Sequence, residues 1–395
     1  MTATTTRSEL AADLDRALQD ATADGAVAGA TLAVADLSGE LYSGAAGKKS
    51  LAHDAPALPD STFWIASFTK LFTAIAALQL VEQDVLSLDD LASRYVPAIG
   101  DLEVVERNGD GFTLRDPATQ VTVRQLLNHT AGGSYSFFNA LNRDYSAAEN
   151  IPGILALSND TLFAPLVHDP GTDFEYGANI DLLGRVLEEA AGTPLAELYR
   201  TGIIEPLGLT DTSATPSAAQ RDRALRFHGR GEDGKLAPLD LEIPTDGDFY
   251  PGGHALFSTA SDYLKVLRAL LGKGELNGVR ILSEESVAAG LSNQLGDIRW
   301  HPITSADPTL TLDVDPLAGH EGTWGYFGLI NLTDGPNERS VGSSFWAGLA
   351  NSYWWLDVER GLAGVVATQT LPFADPHVLA LQGAAEAALI RAQAD

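Results

Sequence analysis

Ser67 and Lys70 stand three residues apart in the almost wholly apolar stretch 64–82, WIASFTKLFTAIAALQLVE. In a helix this spacing puts both side chains on one face, within reach of each other. Apolar residues nearly all round such a helix mark it for burial. Burial disfavours an ammonium and leaves the amine as a base. A serine in the first turn sits where unpaired backbone N–H groups and the helix dipole stabilise negative charge. Together they are one form of activated nucleophile. The same residues also fit a plainer arrangement, a lysine reaching along apolar surface to water and a serine capping the helix. This is the only Ser-x-x-Lys in the chain, and Lys70 is one of six lysines, which favours chemistry.

The elements that must hold this pair follow from pattern and punctuation. Residues 7–24 read as a helix, and 27–37 with 39–44 as a strand hairpin. From 71 to 254 the text is helices broken by polar loops, for example 114–121 and 143–153. Helices are expected at 122–129 and at 178–192, the second ending on a glycine, and another over 251–274. Strand character returns in the aromatic stretches 322–332, 343–358 and 362–371, before a last helix at 377–393. Strands at both ends with helices between predict an α/β fold, one sheet built from both termini with an inserted all-helical domain. The expected division is 1–70 and 255–395 for the α/β domain and 71–254 for the helical one.

The chain has 395 residues, enough for a sizeable core, and a formal charge of −28. That sign excludes nucleic acid and anionic membrane surfaces as partners. There is no cysteine, so disulfides and thiolate chemistry are absent. No apolar stretch has the length of a signal peptide or a membrane span, so a cytoplasmic protein is expected. The eight histidines show no metal-ligand spacing; no metal and no cofactor is expected. His129 reads as structural. GRGEDG at 229–234 reads as a surface loop, because it does not join a strand to a helix as a dinucleotide site must.

Ser-x-x-Lys is the signature of penicillin-recognising serine enzymes. It is followed in order by TVRQLLNHTAGG (122–133), FEYGANIDLLGRVLEEAAG (174–192), GGHALFSTASDYLKVLRALL and SSFWAGLANSYWWLDVERGLAGVVA. This succession resembles the class C β-lactamase-like serine hydrolases, especially family VIII carboxylesterases and fungal statin-type acyltransferases, from about residue 20 to 390. The resemblance implies a sandwich of antiparallel sheet and flanking helices with a helical domain. It implies a catalytic tyrosine at Tyr176, relaying a proton between Ser67, Lys70 and the leaving group. The asparagine that β-lactamases carry two residues later is Ala178 here, with Asn179 one further on as a candidate substrate contact. The third motif falls at Trp346-Ala347-Gly348. There the N–H of Leu349 would face that of Ser67 as an oxyanion hole, and Trp346 and Gly348 would line the substrate pocket. The activity implied is a serine carboxylesterase acting on short or medium acyl esters of small molecules through an acyl-enzyme. The alternatives are an acyltransferase to an alcohol or amine, a β-lactamase or D,D-peptidase, and a non-catalytic binding protein on the same fold.

Overall fold

In a computed structural model, which describes residues 3–334 and 339–394, strands from both ends of the chain form one seven-stranded antiparallel sheet. They are β1 (Gly29–Asp36), β2 (Glu40–Gly47), β3 (Gly322–Trp324), β4 (Leu329–Asn331), β5 (Ser344–Gly348), β6 (Ser352–Asp357) and β7 (Leu362–Ala367). Their spatial order is β3-β4-β5-β6-β7-β1-β2. The seam between the two ends is β1 against β7, with Thr31 opposite Ala367 and Asp36 opposite Leu362.

Every position of β5, β6 and β7 is buried, which is why their sequences read as unbroken apolar and aromatic runs rather than alternating ones. Strands buried on both faces need a layer on each. The helices that supply these layers and carry the site are α1 (Ala3–Thr22), α2 (Thr69–Glu82), α3 (Asn179–Ala191), α4 (Ala260–Leu271) and α5 (Pro376–Ala394). Successive side chains of a strand point to opposite faces, and two neighbours on β2 show the layers. Tyr42 Oη donates to Asp15 on α1 at 2.6 Å, while Ser43 Oγ lies 3.2 Å from Ser261 Oγ on α4. On the α1 face, Arg391 of α5 reaches Asp13 at 3.4 Å.

Between the two halves of the sheet domain, residues 71–254 are helices and connecting loops with two short hairpins. These are Val104–Asn108 with Gly111–Arg115, and His228–Arg230 with Leu236–Pro238. The polar stretch at 143–153 is not all loop. Residues Ala140–Glu149 form a helix, capped by the Asn139 side chain accepting the Asn142 N–H at 3.1 Å. Helix α2 lies between the two regions. Phe68 and Phe72 pack on Tyr263 of α4 with ring centroids 4.4 and 6.1 Å away, and Phe72 meets Tyr199 of the insertion at 6.0 Å. Its apolar circumference is explained by contact on every side.

The helix expected over 251–274 begins only at Ala260, where the Thr259 side chain accepts the Asp262 N–H at 3.3 Å. Pro251, Gly252 and Gly253 are poor helix formers, and here they thread past α3 at very short range. A Cβ on Gly252 would lie 2.6 Å from the Ile180 carbonyl oxygen, and one on Gly253 2.8 Å from the Asp181 carboxylate.

The same constraint shapes the turn that carries Ser67. Residues Ala66–Phe68 form a 3₁₀ turn leading into α2, and Ala66 has φ 46°, uncommon for a residue with a side chain. Gly348, at the end of β5, lies against this turn, and a Cβ there would come within 2.7 Å of the Ile65 carbonyl oxygen. Gly348→Ala therefore has to push β5 and the Ser67 turn apart. We expect it to lose at least about tenfold in turnover and to destabilise by about 1–3 kcal/mol. Parent-level activity in the alanine variant would show that this contact does not set the position of Ser67.

Candidate active site

Lys70 is 6% exposed and sits beneath Ser67. Its Nζ lies 3.0 Å from Ser67 Oγ, 3.1 Å from Tyr135 Oη and 3.1 Å from the Gly253 carbonyl oxygen. The faces of Tyr135 and Tyr176 flank it, with centroids at 5.1 and 4.9 Å. Tyr135 Oη donates its own hydrogen to Asp181 Oδ2 at 2.8 Å, so toward Lys70 it can only accept, as can the carbonyl of Gly253. Lys70 Nζ thus donates to these two acceptors and to Ser67 Oγ.

Asp181, in the first turn of α3, is wholly buried. Burial alone would raise its carboxyl, but His254, Lys70 and the Gly253 amide outweigh burial and hold it below the usual carboxylate range. The Gly253 N–H donates to Asp181 Oδ1 at 2.8 Å, and His254 Nδ1 lies 3.4 Å from the same oxygen. Burial, with Asp181 adding to it, pushes the Tyr135 phenol well above its ordinary range. Tyr135 is therefore a neutral bridge between lysine and carboxylate.

Tyr176 stands on the other side of Lys70. The Trp346 indole N–H donates to Tyr176 Oη at 2.8 Å, which leaves the Tyr176 hydrogen free to be given to another group. Trp346 and Trp324, from β5 and β3, pack on its ring at 4.8 and 5.8 Å, and His129 lies tilted against it at 4.8 Å. Burial, and next the nearby Lys70, push His129 well below its usual range.

Ser67, Tyr176, Trp346, Gly348 and Leu349 all line one cavity of about 370 Å³. Asn179 does not join them. It is wholly buried, accepting the Gly133 N–H and donating to the carbonyls of Gly133 and Glu175, at 2.8–2.9 Å in each case. Its amide holds the 133–134 loop against α3, so it cannot also hold a substrate as the sequence expectation had it. Among the described residues the cavity lining contains no Lys, Arg, Asp, Glu, Asn or Gln. Its walls are apolar groups such as Phe137, Phe138, Ile303, Val314 and Phe373.

The beta-lactamase family model matches residues 14–389. The chain belongs to the β-lactamase family. It is 30% identical over 393 residues to the monacolin J acid methylbutanoyltransferase of Aspergillus terreus, covering 92% of this chain and 91% of that one. It is 30% identical over 388 residues to the lovastatin esterase of Penicillium rubens, covering 93% and 95%. Among solved structures, a variant of the simvastatin synthase of Aspergillus terreus superposes with a TM-score of 0.84 at 30% identity, covering 97% of this chain and 95% of that one.

Three side chains next to Lys70 and the cavity are not singled out by the sequence motifs: Tyr135, Asp181 and His254. The signal for Asp181 was present in NIDLLGRVL, a charge on the apolar face of a helix, which is the same signal that singled out Lys70. Tyr135 lies in the GGSYSFF loop, where no periodicity marks a tyrosine as special. Lys70 contacts Ser67 and lies 4.9 Å from the centroid of the Tyr176 ring, so Lys70 and Tyr176 are expected to act as a unit. Lys70→Ala and Tyr176→Phe are each expected to lower kcat by roughly 100-fold or more, and the double variant by little beyond the worse single. Losses that multiply in steady-state kinetics would show two independent roles instead.

Proposed function

We propose that this chain transfers acyl groups through an ester formed on Ser67, from an uncharged acyl ester to an alcohol, with water as the competing acceptor. One observation carries the reading: a Ser67–Lys70 contact at 3.0 Å that opens into a cavity walled by apolar groups. As Ser67 Oγ attacks the acyl carbon, its proton passes to the Lys70 lone pair. The N–H groups of Ser67 and Leu349 hold the oxyanion. Tyr176, whose oxygen is already fixed by the Trp346 N–H, hands its hydrogen to the departing alcohol and is reprotonated from Lys70. An acceptor alcohol then runs the same steps in reverse and leaves as the new ester.

Placing transfer ahead of hydrolysis reverses the order expected from sequence. It draws on the similarity to the methylbutanoyltransferase and on a lining with few groups that could hold a deacylating water. Hydrolysis stays as the second reading because of the similarity to the lovastatin esterase. The deciding measurement is chromatography of products from p-nitrophenyl butyrate with increasing butanol. The new ester should overtake free butyrate as butanol rises, and Ser67→Ala should form neither product. If butyrate alone appears at every butanol concentration, the chain is an esterase. Near-parent turnover by the alanine variant would overturn the acyl-enzyme itself.

The same lining argues against penicillins. With no Lys or Arg in the wall, the drug's carboxylate would be buried unpaired, at a cost of several kcal/mol. At 1.4 kcal/mol per factor of ten, kcat/KM for p-nitrophenyl butyrate should exceed that for benzylpenicillin by at least about 100-fold. A lactam value equal to the ester value would return the chain to the penicillin-processing branch.

A further inference from the structure

The Ser67 cavity has a neighbour. A second pocket of about 510 Å³ shares two wall residues with it, Trp64 and Leu241. Its lining is of another kind. Phe227, Phe257 and Ile243 give it an apolar part, and Arg221, Arg226, Asp240, Glu242 and Asp246 bring charge of both signs. Among the described residues none of these five is in an ion pair. Arg226 donates only to the Arg221 carbonyl, at 3.2 Å.

The two shared walls are held very differently. Trp64 is fixed, since its indole N–H donates to the His254 carbonyl at 2.6 Å and its own carbonyl accepts from Gln369 Nε2 at 3.1 Å. Leu241 lies in a strap, residues 240–247, that makes no hydrogen bond among the described residues, backbone or side chain. The strap is anchored only beyond its ends. There the Leu239 N–H donates to the Phe227 carbonyl and the Asp248 N–H to the Leu157 carbonyl, both at 2.8 Å. Within it Leu241 and Ile243 are half-buried and the other six residues are exposed. The two aliphatic side chains rest on a small cluster of Trp64, Ala66, Phe227 and Ala350, apart from the main core. Few buried apolar contacts and no protein hydrogen bonds mark a segment that opens at little cost. Opening it takes Leu241 out of the common wall and joins the two pockets, while Ser67 stays on the rigid side.

We propose that the second pocket is a substrate subsite of the acyl-transfer site. It takes the polar far end of a long ester whose reacting end lies at Ser67, and Leu241 is the specificity-determining wall between the two. The ester that fits is amphipathic, with an apolar stretch along the Ser67 cavity and an uncharged polar group such as a hydroxyl at its far end. Guanidinium donors and carboxylate acceptors in one pocket suit a hydroxyl, which both donates and accepts. An anionic end would instead meet the carboxylates of Asp240, Glu242 and Asp246.

This inference rests on the acyl-enzyme reading, and its test separates the two. The measurement is kcat/KM for two ester series. p-Nitrophenyl butyrate and dodecanoate lengthen the acyl side, and butyl and dodecyl butyrate lengthen the alcohol side. Each long ester is paired with its ω-hydroxy counterpart. On the side that reaches the second pocket, the parent should turn over the ω-hydroxy ester within about threefold of the plain long ester. A hydroxyl shut into the apolar cavity would instead lose about tenfold or more. On that same side Leu241→Trp should lower the long-to-short ratio by about tenfold or more, and Leu241→Ala should raise it. Thermal melting checks folding; if one variant does not fold the other decides, and the parent comparison stands without either. A Leu241 with no part in selection would change long and short esters by the same factor. That result, or a tenfold ω-hydroxyl penalty in both series, overturns the subsite. If the parent turns over no ester of either series, the acyl-enzyme reading fails and the subsite with it.

Discussion

Asp181 is a carboxylate with no exposure to solvent, and the arrangement of the site depends on keeping it charged there. An isolated charge at such a position would be neutralised by a shifted pKa. It is held by the first turn of α3, the Gly253 amide, the Tyr135 hydroxyl and the nearby His254 and Lys70. These contacts come from four separate stretches of chain. Satisfying one carboxylate therefore fixes α2, α3, the 133–138 loop and the 251–254 segment relative to one another. The two glycines before His254 have no room for a side chain because this convergence is so close.

The network divides the site into two environments. Below Ser67 lie Lys70, Asp181 and the Tyr135 hydroxyl, each with a defined partner. Above it lies the apolar cavity, bounded by β5 and by aromatic side chains of the loops. Trp346 belongs to both, since its ring walls the cavity while its N–H fixes the oxygen of Tyr176. Water is poorly held in such a cavity, and electrostatic interactions are stronger where it is excluded. Under the acyl transfer proposed above, charge developing at Ser67 would be met by preset groups rather than by solvent.

Much of the sandwich was legible because burial leaves a periodic trace. The terminal helices, the β1–β2 hairpin and the aromatic strands all lie close to where patterning put them. The helix predicted over 251–274 was too long by nine residues at its start, 260 against 251. Apolar spacing continues through GGHALFS, and nothing local says that Thr259 will cap the helix. The Ala140–Glu149 helix was missed for the opposite reason, since its polar face makes it resemble a loop.

Sequence by itself determined the family, the Ser67–Lys70 spacing and the oddity of a lysine in an apolar helix, because these are properties of neighbouring residues. Contacts between distant segments were decided only by the tertiary structure. Tyr135 and Asp181 lie 65 and 111 residues beyond Lys70 in the chain, and only folding joins them into one hydrogen-bonded path. The same holds for Asn179, which motif position suggested as a substrate contact and which packing turned inward to hold the 133–134 loop. A side chain's chemistry follows from its type, but its protonation and its partner follow from burial, and burial is a property of the whole fold.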